Sequence, residues 1–106
     1  MPMYDPKTPE QYVELLDQAI FEVEELIACA RDEGEDDPEF SRQLPVYERL
    51  ARELKQLRAD ILEGRHEFGD GADLPFMEAL RQARVSVPFM PLLAGLNAAH
   101  KTGLKQ

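Results

Sequence analysis

The sequence predicts an all-α fold, a small helical bundle in a single domain. Three observations lead there: two long runs of apolar residues spaced by three and four, helix-boundary residues at the ends of those runs, and no convincing two-residue alternation. Val85-Ser86-Val87 is the nearest thing to a strand and is too short to build a sheet. A length of 106 residues allows one compact core. A hydrophobic fraction of 43% with 31% charged residues is that of an ordinary globular chain.

The first helix opens at Thr8-Pro9-Glu10-Gln11. Thr8 offers a capping oxygen, Pro9 suits the first helical position, and Gln11 completes a capping-box pattern. Tyr12, Leu16, Ala19, Val23, Leu26 and Ala30 then recur by fours and threes, with Val13, Ile20 and Ile27 widening the stripe, and Gly34 stands just past the end. The prediction is a helix over about 9–33, preceded by an extended N-terminal arm over 1–8. Pro45 disfavours helical geometry at Leu44, so it either starts or kinks the second helix. Tyr47, Leu50, Leu54, Leu57 and Ile61 carry the stripe and Gly64 closes it, giving a helix over about 45–63, antiparallel to the first.

Gly64, Gly69 and Gly71 mark an ordered loop. After it comes one internal repeat: Asp73-Leu74-Pro75-Phe76-Met77 aligns with Ser86-Val87-Pro88-Phe89-Met90. Each copy reads as a helix start with a capping residue, Asp73 or Ser86, which predicts helices over about 74–84 and 87–101. Gly103 ends the last helix, with His100 and Lys101 suited to its final turn and a short tail over 102–106.

Twelve Lys and Arg against 21 Asp and Glu give a net charge of −9, which argues against binding nucleic acid or anionic lipid. The charge is uneven. Residues 1–40 hold 13 acids and two bases; residues 41–106 hold eight acids and ten bases. One consequence is attraction within the hairpin, between the acidic first helix and Arg49, Arg52, Lys55 and Arg58 of the second. The other is an acidic surface at Asp32, Glu33, Glu35, Asp36, Asp37 and Glu39. That surface would suit a basic partner, or mimic nucleic acid and inhibit a basic protein.

No zinc spacing, calcium loop, phosphate-binding glycine loop or nucleophile elbow occurs, and no catalytic residue, metal ligand or cofactor is assigned. His66, Glu67, Asp70 and Asp73 share one loop, so a metal-binding or enzymatic role for 64–73 is the remaining chemical alternative. Cys29 reads as a small buried or half-buried filler of the first helix. The N-terminus lacks the basic and apolar regions of a secretory signal, and no apolar run approaches the roughly 20 residues of a membrane span, so the expected location is cytoplasmic.

Residues 85–100 are uncharged and contain Phe89, Met90, Leu92, Leu93 and Leu96. A helix apolar nearly all round is buried on most sides. Either the hairpin and the third helix clasp it as a central core helix, or those five residues meet a protein partner or a second copy. The functional expectation is a helical protein–protein interaction module, an adaptor, regulator or accessory subunit, with no catalysis of its own.

Overall fold

The computed structural model describes residues 4–33, 42–85 and 87–104, and among them every regular element is an α-helix. The helices are α1 (Pro9–Glu33), α2 (Leu44–Leu62), α3 (Pro75–Ala83) and α4 (Met90–Thr102). The expected Gly34 terminator, the Ser86 cap and the acidic turn between α1 and α2 lie outside the described residues.

At the start of α1, Thr8 Oγ1 accepts the Gln11 N–H at 3.1 Å, as a capping residue should. The Gln11 side chain returns not to Thr8 but to the Lys7 N–H, at 2.7 Å, so the reciprocal bond lands one residue outside the usual box. Tyr12, Leu16, Ala19, Val23 and Ala30 are all buried along one face. In α2, Pro45 sits in the first turn, where its missing N–H has no helical acceptor to lose. The Gln43 carbonyl accepts from Val46 and Tyr47 at 3.0 and 3.1 Å, so Pro45 starts this helix and does not kink it. Gly64, at φ 74°, turns the chain out of α2 in the left-handed region that glycine adopts without strain.

Helices α1 and α2 form the most extensive pairing of the described elements. Tyr47, Leu50, Leu54 and Leu57 of α2 are buried with the α1 stripe in one core. The predicted cross-hairpin attraction is present at its edges: Lys55–Glu24 at 2.7 Å, Arg58–Asp17 at 2.6 Å and Arg31–Glu48 at 3.3 Å. These pairs are exposed, so each contributes only about 0–1 kcal/mol. Arg49 turns instead to Glu53 on its own helix. Cys29 is exposed and is no core filler, because it lies off the stripe that faces α2.

The two halves of the repeat start their helices differently. In the first, α3 begins at Pro75; in the second, α4 begins only at Met90, three residues later than expected. Pro91 explains the delay, for it has no N–H to bond the Val87 carbonyl, whereas Glu78 holds the equivalent position in the first copy. A turn closed by Met90 N–H to Val87 O at 3.2 Å takes up the slack. Asp73 is a second correction. The residue capping α3 is Leu74, with no side-chain cap bond, and Asp73 turns away toward α4. At its other end α3 stops on Arg84 at φ 56°, and the Val85 N–H reaches back to Leu80 O at 3.0 Å.

Helix α4 resolves the problem of an all-apolar helix within one chain. Leu92, Leu93 and Leu96 are at most 1% exposed, Phe89 is buried, and Met90 is half-buried against the same core. Within the chain these residues pack as the core-helix alternative describes. Ala94 and Ala98, which leave little apolar area to water, occupy the outer side. Gly95 lies beneath the N-terminal arm, where a Cβ would come within 2.6 Å of Tyr4 Cβ. The Tyr12 phenol donates to Leu96 O at 2.8 Å, tying α1 to α4, and burial pushes its pKa well above the ordinary tyrosine value.

Candidate functional site

Polar groups converge where the loop after α2 meets the end of α4. Leaving α2, the Arg65 and His66 N–H groups both turn back to Asp60 O, at 2.8 and 3.3 Å. This reversal carries His66 and Phe68 inward. Phe68 stands edge-on to both His66 and Tyr12, with centroid separations of 4.7 and 5.1 Å. The Gly69 N–H donates to His100 O at 2.6 Å and the Gly71 N–H to Lys101 O at 3.2 Å. Two carbonyls at the end of α4, which have no partner within the helix, are satisfied by the loop.

The side chains continue the pattern. His66 Nε2 and His100 Nδ1 are 2.9 Å apart, and His100 Nε2 lies 3.2 Å from Asp70 Oδ1. His100 is only 5% exposed. Burial first, and the neighbouring His100 second, hold the His66 pKa below the ordinary histidine value. One turn earlier on α4, Asn97 accepts the Leu74 N–H at 2.8 Å and donates to Asp73 Oδ1 at 2.9 Å. The start of α3 is therefore capped from another helix. The Asn97 bond, followed by the Lys101 contact, brings the Asp73 carboxyl down to about 2.

Beside this junction runs a groove of about 380 Å³ between α2 and α3. Its apolar floor is Leu57, Leu74 and Phe76, all buried. Glu53, Gln56 and Asp60 line it from α2, His66, Asp70 and Asp73 from the loop, and His100 from α4. Arg49, Arg65, Arg81 and Lys101 pair with those carboxylates, yet none of the four lines the groove. Hydrogen bonds from Arg65 and Gln56 lower the Asp60 pKa, so that carboxylate stays charged. Among the described residues Glu53 Oε2 is the least satisfied: it is buried, accepts no hydrogen bond, and pairs with Arg49 Nε at 3.5 Å. No Ser, Thr, Cys or Lys is among the described residues that line the groove.

A larger furrow of about 510 Å³ follows the α1–α2 seam, but Glu24–Lys55 and Arg31–Glu48 already pair there. Of the acidic surface residues, Asp32 is exposed on α1. Glu35, Asp36, Asp37 and Glu39 lie outside the described residues, as does the side chain of Glu33. The loop residues considered for metal binding do not converge as a set. His66 and Asp70 gather around His100, whereas Asp73 turns to Asn97. Among the described residues no three His, Cys, Asp or Glu side chains are placed to hold a metal ion.

Sequence reasoning missed Asn97 and His100 as partners of this loop. Both were visible as polar residues one turn apart, hence on one face, of an otherwise apolar helix. Comparison of the chain with protein-family models, curated proteins and solved structures finds no match.

Proposed function

We propose that this chain is a small helical protein-binding module, an adaptor, regulator or accessory subunit without catalysis of its own, and that its α2–α3 groove receives a basic segment of a partner protein. The observation that carries this reading is the groove's composition: an apolar floor under four carboxylates, with no Lys or Arg among the lining residues. An ionised carboxylate has about four acceptor sites, so pairing on one side leaves lone pairs for a ligand. Glu53 Oε2, buried with an Arg49 ion pair at 3.5 Å but no hydrogen bond, can take one from an incoming guanidinium or ammonium, and a long aliphatic stem suits Leu57, Leu74 and Phe76. A protein segment suits the net charge of −9; a nucleic acid does not. Among the described residues no helix is long and apolar enough to cross a membrane.

The test is a chemical-shift titration of the purified protein with a short amidated peptide of alternating leucine and arginine, against its leucine–glutamate counterpart. The expected result is selective movement of the Glu53, Leu74 and Phe76 amides by the basic peptide. Glu53→Gln should weaken binding about tenfold, while Glu24→Gln, the same charge change on α1, should leave it unaltered. Equal responses to both peptides, or shifts confined to α1, would overturn the reading.

A further inference from the structure

The histidine pair at the end of the groove holds together only in certain protonation states. His100 Nε2 faces the Asp70 carboxylate at 3.2 Å, so it carries the proton; a lone pair there would face oxygen lone pairs. His100 Nδ1 is then the acceptor, and His66 Nε2–H donates to it across 2.9 Å. A first added proton is accommodated at His66 Nδ1, because His66 Nε2–H still donates. A second is not: the remaining lone pair of His100 is the one His66 occupies, and two N–H groups would face each other.

That contact is also mechanical. The same loop is held to α4 by Gly69 N–H to His100 O and Gly71 N–H to Lys101 O. We propose that His66 and His100 form a pH-operated latch, closed while the pair holds at most one added proton and released when both rings are charged. Release frees one wall of the groove and places two cations beside it. The consequence for binding rests on the groove being the binding surface; the latch itself does not.

The surrounding charges fix the direction. Asp60 from α2 and Glu67 and Asp70 from the loop favour a charged His66, while burial and His100 oppose it. Glu53 of α2 lines the same groove as both rings. Arg65, paired to Asp60, and Lys101, paired to Asp73, add positive charge nearby, and the uncharged Tyr12 ring of α1 reaches the site through Phe68. With the folded-state affinity of His66 lowered, the unfolded chain binds the proton more readily. The first proton, on His66, therefore costs the fold stability as pH falls below the ordinary histidine value of 6.5 while the contact stays closed, and the second opens it.

Amide hydrogen exchange on the free, full chain tests this at about pH 7.5 and about pH 5. Protection at Gly69 and Gly71 should drop about tenfold or more on acidification while Leu54 holds. In His66→Gln the drop should vanish, because the amide can turn either its N–H or its oxygen toward His100. Unchanged protection in the wild type, or the same drop in His66→Gln, would overturn the latch. The leucine–arginine peptide, added at both pH values, should bind about fivefold or more weakly in acid. No binding at either pH, with the exchange drop intact, would sink the groove reading and leave the latch standing.

Discussion

Along the α1–α2 hairpin the apolar core is Tyr, Leu, Val and Ala, repeated by threes and fours, and the cross-hairpin ion pairs stay at the exposed edges. Where α4 meets the loop after α2, the buried groups include Asn97 and His100, and the links are hydrogen bonds among loop amides, α4 carbonyls and imidazoles. The first region is held by non-directional burial, which tolerates pH and salt. The second is held by directional bonds, each needing one geometry, and its imidazole contacts depend on protonation as well. The groove proposed for binding runs from α2 into this second region, whose imidazoles can respond to conditions.

This contrast can be broken by substitution. Leu54→Ala, at a fully buried hairpin position, should cost about 3 kcal/mol by denaturant titration, equally at neutral and mildly acid pH. Asn97→Ala leaves the Leu74 N–H without its acceptor and should cost about 1–3 kcal/mol. Its effect should also carry a pH signature. Asp73, at about 2 in the fold against an ordinary 3.8, stabilises the protein above the higher value and loses that contribution as pH falls toward the lower. In Asn97→Ala this loss should shrink. Arg84→Gly relieves a left-handed residue and should raise stability by about 1 kcal/mol. Lys55→Gln, which removes an exposed hairpin pair, should change stability by less than about 1 kcal/mol, and that change should disappear in high salt.

The hairpin was legible because its determinants are local. Thr8, Pro9, Gly64 and the two stripes each act within a few residues of where they stand, and the helices they predict are present within a residue or so. The repeat was legible as two helix starts but not as two different ones, since Pro91 outweighs the shared Pro-Phe-Met. Asp73 looked like a cap because capping residues precede helices. Its acceptor oxygen was claimed instead by Asn97, 24 residues away. His66 and His100, 34 residues apart, carry no periodic signal linking them. Polar junctions depend on which distant donors the fold brings near, and no spacing rule along one chain reports that.

The proposal puts the partner surface in the groove because α4 is spent on the protein's own core. Sedimentation of the wild type and Leu93→Asp over a concentration series, with circular dichroism alongside, tests that premise most directly. The wild type should sediment as a 12.1 kDa monomer throughout, and Leu93→Asp should lose its helical signal, because a carboxylate replaces a side chain with no exposure. A wild-type oligomer that Leu93→Asp converts into a fully helical monomer would contradict it.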